Sequence, residues 1–374
     1  MGNHTVEKIG GTSMNRFDLV LDNIILYKRP AAGLYNRVFV VSAYSGITNM
    51  LLEHKKSGES GVYSAYAANS GDWQALLQGV LTHMCETNAG LAKLGLDVAA
   101  ADAFVKERIE GIRNCLLDLR RLCSYGHFKL DEHLPAVREM LSAIGEAHSA
   151  YNSTLILQGK DVNAICIDLS GWMDEENLSF DEKIQTTFAN LDLNTCLPIV
   201  TGYTKCAEGI MATYDRGYSE ITFSKIAVLT GACEGVIHKE FHLSSGDPRL
   251  VGVKNARIIG QTNFDVADQL ADLGMEAIHP KAAKPMEASG IPIRVKNTFE
   301  PDHDGTLISH DYHSDNPRVE IVTGRRGMVG IEVWDPDMVG QHGYDYRLLQ
   351  HFNAHGISYI AKNTNANTIT HYVP

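Results

Sequence analysis

Thr5-Val6-Glu7-Lys8-Ile9 runs directly into Gly10-Gly11-Thr12-Ser13. The first five residues form a short β-like run and the next four a loop of glycines and hydroxyls, and a helical pattern follows from about Met14 to Tyr27. A strand, a glycine-containing loop and a helix in that order open an α/β fold. The unit recurs at once: Arg37 to Val41 is a second apolar run, rich in β-branched residues, and it ends in the small-residue loop Ser42-Ala43-Tyr44-Ser45-Gly46.

Further along, residues 71–159 read as mostly helical. Val137, Met140, Leu141 and Ile144 recur at i, i+3, i+4 and i+7, a stripe that should face the core, so Ser142, Glu146 and Ser149 should share the opposite, polar side. Asn163 to Leu169 and Leu197 to Thr204 look like buried strands, and Gly209 to Tyr214 is expected to be another. The polar turn Asp215-Arg216-Gly217-Tyr218 follows, with Ser219 placed to cap a helix running to about Thr230. Phe264 to Leu273 reads as a helix stopped by Gly274, and Ile291 to Val295 as a strand, before Pro301, Asp302, Asp304 and Gly305 break the pattern. The final stretch changes character. Gly330 to Val333, Tyr344 to Asn353, Ile357 to Lys362 and Thr368 to Val373 read as β-α-β-β, a small domain expected to stop halfway.

The composition limits the partners. The chain has 374 residues with 33 Lys plus Arg against 45 Asp plus Glu, a formal charge of −12. That balance argues against nucleic acid, whose binding is largely phosphate neutralisation by cations. It leaves room for an anionic small molecule held by a few local cations. No apolar run approaches the ~18 residues a membrane span needs, and the amino terminus lacks the basic and apolar regions of a signal peptide. The seven cysteines are scattered with no C-x-x-C, so reduced core thiols in a cytoplasm are expected rather than disulfides or a metal site.

Three loops carry candidate chemistry. In Lys8-Ile9-Gly10-Gly11-Thr12-Ser13, glycine lets the backbone approach phosphate oxygens, free N–H groups at the next helix start donate to them, and the ammonium offsets charge on a transferring group. The Walker spacing is absent, and a Gly-Gly pair after a strand is also an ordinary turn. Ser42 to Asn49 is a second strand-to-helix loop loaded with hydroxyls, which equally suits helix capping. In Arg216-Gly217-Tyr218-Ser219-Glu220 the arginine can grip a carboxylate bidentately, though surface arginines are common. All three follow strands in the sequence, and ligand sites of open α/β sheets lie outside the carboxyl ends of strands.

With these residues in place, the chain resembles the aspartate kinases of the amino acid kinase family. Lys8 to Ser13 is similar to their K-x-G-G-T-S, Val41 to Asn49 to their S-x-S-x-G-x-T-N loop, Gly145-Glu146 to their G-E helix and Arg216 to Glu220 to their R-G-G-S-D turn. Gly274 to Pro280 resembles G-x-K-x-x-H-P, Gly305-Thr306-Leu307 the closing G-T-L, and Met338 to Gly343 with the elements after it the start of an ACT domain. The matches fall in family order over nearly the whole chain. Glu7 before the lysine and the Arg-Gly-Tyr-Ser-Glu wording look closest to the aspartate kinases of ectoine biosynthesis.

The resemblance implies an α/β fold: a three-layer α/β/α amino acid kinase (carbamate-kinase-like) domain over about 1–310, followed by a partial ACT-type α+β domain over about 320–374. It implies transfer of the ATP γ-phosphate to the β-carboxylate of L-aspartate. Lys8 would hold the transferring phosphoryl group. Ser42, Thr48, Glu146, Arg216, Ser219 and Glu220 would bind aspartate, with Arg216 on the α-carboxylate and Glu146 and Glu220 on the α-ammonium. Gly10, Gly11, Thr12, Ser13, Lys239, Asp247 and Arg249 would bind the nucleotide, with Mg2+ held through its phosphates and no dedicated metal site. Without the resemblance, Glu146 reads equally well as a solvated helix residue.

The departures are specific. Glu220 stands where the family has Asp, Tyr218 where it has Gly and Glu276 where it has Lys, while the loop around Lys239-Glu240 is altered and shortened. A negative Glu276 near a triphosphate should weaken nucleotide binding. These departures motivate an alternative, a ligand-sensing protein with an impaired kinase domain. The family implies a homodimer or higher homo-oligomer, often through ACT domains. A halved ACT domain would leave a sheet edge open, as in a truncated chain or one needing a partner, and inhibition by lysine or threonine is expected to be weak or absent.

Overall fold

A computed structural model describes residues 2–30, 33–55, 57–214, 217–272, 278–317 and 319–374, with backbone alone at Arg249 and Asp272. The opening strand β1 (Thr5–Ile9) lies inside a sheet completed by β2 (Arg37–Val41), β3 (Ala164–Ile167), β4 (Leu197–Thr201), β5 (Glu234–Lys239), β6 (Gln261–Thr262), β7 (Ile293–Asn297) and β8 (Thr306–Ile308), in the order β3-β4-β2-β1-β5-β7-β8-β6. Every pairing is parallel except the antiparallel β7 with β8.

Parallel strands are buried on both faces, which is why β2 and β4 read as unbroken apolar runs and are buried at every position. Alternation along β1 sends Glu7 and Lys8 to opposite faces. On the Glu7 face, Arg37 donates to the carbonyls of Ile24 and Ile25 in the helical segment Leu21–Ile25. On the Lys8 face lies the helix Tyr218–Thr230, which supplies Glu220. The sheet is thus the middle of three layers.

Two compact units divide the chain, one of 1–243, 258–264 and 278–313 that contains this sheet, the other of 244–257, 265–277 and 314–374. The second holds an antiparallel sheet of β9 (Val329–Trp334), β10 (Ala361–Thr364) and β11 (Thr368–Val373) in the order β10-β11-β9, with the helix Tyr344–Ala354 following β9.

Several local expectations are corrected. The run Gly209 to Tyr214 is not a strand, because Ile210–Tyr214 is helical. Gly209 takes a left-handed φ of +72°, and Glu139 Oε1 accepts from the N–H groups of Met211 and Ala212, which caps the turn from outside the segment. Ser219 is not a cap either, since Gly217 holds that position and Ser219 sits inside the helix. The last strands shift along the chain, to Ile293–Asn297 and to Ala361–Thr364. The polar side of the helix Leu134–Gln158 is not solvated, because Ser142, Glu146 and Ser149 are all buried. The cysteines are free, yet only Cys196 is fully buried and Cys115 is exposed, so they are not uniformly core thiols.

Candidate active site

Lys8 emerges near the carboxyl end of β1, level with Val40 of β2 and Ile237 of β5. Its Nζ donates to Glu220 Oε1 at 3.2 Å, with both side chains largely buried. The other oxygen of Glu220 accepts the His279 amide at 2.6 Å. Burial alone pushes the Glu220 carboxyl up, but the charges of Lys8 and Lys239 and the His279 amide outweigh it and hold the carboxyl below the ordinary range. Glu220 is therefore an anion already spoken for by cations.

Glu146 is the opposite case. It is 2% exposed, its Oε1 accepts from Ser219 Oγ at 2.6 Å, and its Oε2 has no hydrogen-bond partner among the described residues. Burial pushes its carboxyl up to about 8, against weaker pulls from the Ser219 hydroxyl, the Lys8 charge and the backbone of Tyr203 and Ala43. An unpartnered carboxylate oxygen in an enclosed polar corner is matched chemically by a cationic group such as an ammonium.

Glycines let these pieces meet. A Cβ on Gly202 would lie 2.8 Å from the Ser219 hydroxyl and 3.0 Å from Glu146 Oε1, and one on Gly145 would lie 2.7 Å from the Ala43 Cβ. A Cβ on Gly11 would lie 2.8 Å from the Ala43 carbonyl oxygen, so the loop after β1 packs against the loop after β2. Ser149 Oγ donates to the Ser42 carbonyl at 2.9 Å, which ties the second loop to the helix carrying Glu146. Thr48 is half-buried in the short helix Ile47–Leu51.

The sequence candidates do not all gather at this corner. Lys8, Glu146, Ser219 and Glu220 do, and Lys239 acts on Glu220 by its charge. Thr12 is exposed beside Gly10 and Gly11, whereas the Ser13 hydroxyl is turned away, bonded to Glu240 at 3.3 Å and to Thr298 at 3.1 Å. Asp247 opens the short helix Pro248–Val251 of the second unit. Arg216 and Glu276 lie outside the described residues, as does the side chain of Arg249. Sequence reasoning missed Gly202 and the His279 amide. His279 lies inside the His-Pro match, but nothing in a sequence announces a backbone donor. Tyr218, where the family pattern has glycine, is buried, with its ring edge-on to Tyr203 and its hydroxyl 3.5 Å from the Ser142 carbonyl.

A mostly parallel α/β sheet with a lysine near a strand end, glycine loops and two largely buried carboxylates frames this corner. The chain belongs to the amino acid kinase family, whose model matches residues 3–297. It is 54% identical over 371 residues to the aspartate kinase Ask_Ect of Stutzerimonas stutzeri (strain A1501), covering 99% of this chain and 78% of that protein. It is 28% identical over 337 residues to an aspartokinase of Candida albicans, spanning 83% of this chain but 57% of that relative. Among solved structures, E. coli aspartokinase III in complex with lysine and aspartate (T-state) matches with a TM-score of 0.67 at 22% identity, covering 100% of this chain and 79% of that one. The same enzyme with aspartate and ADP (R-state) matches with a TM-score of 0.65, also at 22% identity, over 99% and 78% of the two chains. These structural likenesses support the fold.

Proposed function

We propose that this protein is an aspartate kinase of the ectoine type, transferring the γ-phosphoryl group of ATP to the β-carboxylate of L-aspartate to give 4-phospho-L-aspartate and ADP. The observation that carries this reading is the buried Glu146 carboxylate, one oxygen bonded to Ser219 and the other unpartnered among the described residues, close enough to Lys8 to feel its charge. In this reading Glu146 Oε2 accepts the α-ammonium of aspartate and Ser219 helps to fix it. The hydroxyls of Ser42 and Thr48 bind polar groups of the substrate, and Arg216 takes the α-carboxylate as the family resemblance implies.

Lys8 directs its ammonium to the transferring phosphoryl group, and Glu220 holds that ammonium in place between turnovers. A carboxylate nucleophile is ionised at neutral pH, so no general base is required and catalysis is positioning plus charge stabilisation. Gly10, Gly11 and Thr12 bring backbone N–H groups to the phosphates, with Lys239 as a second cation, while Ser13 serves to anchor the loop. Asp247 and Arg249 remain proposed nucleotide contacts. Mg2+ enters bound to the nucleotide and neutralises phosphate charge there.

Residues 320–374 are read as a partial ACT-like regulatory domain, and the protein as a cytoplasmic homodimer feeding ectoine or aspartate-derived amino acid synthesis. A sensing protein with an impaired kinase domain is not favoured, because Lys8, Ser219 and both carboxylates are present together. ADP release on a panel of amino acids tests the reading. Turnover with L-aspartate is expected, and turnover of glutamate or N-acetylglutamate in its place would assign the protein to a sibling kinase.

A further inference from the structure

The Glu7 face of the sheet carries a second feature that the kinase reading leaves unused. Strand interiors in parallel sheets are ordinarily apolar on both faces. Here the register sets Thr5 of β1 level with Arg37 of β2 and Glu234 of β5, and sets Val236 and His238 of β5 level with Arg294 and Lys296 of β7. Alternation then puts Glu7, Arg37, Glu234, His238, Arg294 and Lys296 on one face. They line a cavity of about 380 Å³ at the lower end of small-ligand pocket sizes.

The cavity's charges divide into two groups. The floor is neutralised internally: Arg37 grips both oxygens of Glu7 at 2.6 and 3.0 Å, His238 reaches Glu7 Oε2 at 2.8 Å, and Arg294 grips both oxygens of Glu234 at 2.8 and 2.9 Å. Two cations remain outside any ion pair among the described residues. Among the described residues Arg29 donates to the Gly33 carbonyl, at 3.4 Å, and Lys296 to the Pro301 carbonyl, also at 3.4 Å. Asp304 also lines the wall; it is exposed, and its backbone oxygen accepts from Arg294. Partial burial of its guanidinium and the neighbouring Arg37 charge disfavour the charged form of Arg29, against a smaller opposing pull from Glu7, and a bound anion would offset the Arg37 repulsion.

We propose that this cavity is a binding site for a small multivalent anion, a phosphate or a dicarboxylate, held between Arg29 and Lys296 and separate from the catalytic corner. Its floor residues Glu7 and His238 are the chain neighbours of Lys8 and Lys239, so a ligand seated here bears on the same two strands that carry the catalytic cations.

Titration calorimetry of the full chain with inorganic phosphate, and separately with malonate, tests the proposal. Saturable binding of at least one of the two is expected, with the stronger binder naming the ligand class. Binding should persist in Lys8→Ala, which removes a cation from the catalytic corner. It should weaken about tenfold or more in a variant combining Arg29→Gln with Lys296→Gln, as expected for lost charge-assisted bonds. Arg29 is exposed, so Arg29→Gln alone provides a variant whose folding is not in question and should already weaken binding. No saturable binding of either anion by the wild type, loss of binding in Lys8→Ala, or unchanged affinity in the double variant would each overturn the proposal.

Discussion

Glu146 holds a carboxyl pushed up to about 8 by burial, yet its proposed role requires the ionised form. Bringing an ammonium against Oε2 favours the carboxylate, so aspartate binding near pH 7 should expel a proton from this group. The direction follows: apparent affinity for aspartate should rise between about pH 6 and pH 8 as the carboxyl ionises without help. Calorimetry in buffers of different ionisation enthalpy should detect the released proton. Glu146→Gln should abolish both effects and raise the KM for aspartate about tenfold or more, as expected for loss of a charged hydrogen bond. Lys8 bears on a different quantity. Lys8→Ala should lower kcat by about 10²- to 10³-fold, the range for removing one preorganised charge-stabilising donor, and steady-state kinetics will show whether the loss falls on kcat rather than KM.

The site is assembled at the scale of elements by close approaches. Gly145→Ala would place a methyl 2.7 Å from the Ala43 Cβ, forcing the helix Leu134–Gln158 off the loop after β2. A loss of about 1–3 kcal/mol is expected in urea denaturation, the usual cost of overpacking. The Glu7 and Arg37 pair on the other face should be more sensitive. Glu7→Gln leaves a buried guanidinium without its counter-charge, and a loss of about 3–5 kcal/mol is expected by the same measurement. Despite burial, Arg37 and His238 hold the Glu7 carboxyl far below its ordinary value of 4.5. Its contribution is therefore complete above that value and lost as the pH falls below it.

Much of this assembly was legible in the chain. β2 and β4 announced themselves because strands buried on both faces must be apolar throughout, whereas β1, with Thr5, Glu7 and Lys8, was marked by the glycine loop that follows it. Glycine loops stood out for the same reason that they work, namely the absence of side chains. Other features were hidden for physical reasons. Helical periodicity shows that Ser142, Glu146 and Ser149 share a side, but not that the loop after β2 and the helix Tyr218–Thr230 cover it. The segment Ile210–Tyr214 is too short for its period to separate helix from strand, and its cap comes from Glu139, far away in sequence. Ser219 looked like a cap because serine usually is one, and only the fold supplies Glu146 as a stronger partner.

For the whole molecule, the charge of −12 describes solubility rather than ligand preference. The cations of the two proposed sites lie at Lys8 and Lys239 on one face of the sheet and at Arg29 and Lys296 on the other. In the second unit, β9 stands at the edge of its sheet and exposes Val329 and Trp334, at 57% and 64%. An open apolar edge of this kind is a pairing surface. Light scattering should therefore give twice the chain mass, and Trp334→Glu should shift the population toward monomer without changing the fold of the kinase unit.

Phosphorylation of the aspartate β-carboxylate is the central proposed activity of this protein. Incubation with L-aspartate, MgATP and hydroxylamine, followed by mass spectrometry of the trapped product, measures it directly. Formation of the β-hydroxamate of aspartate in step with ADP, and its loss in Lys8→Ala, is the expected result. ADP formation without the hydroxamate, or undiminished hydroxamate in Lys8→Ala, would contradict it.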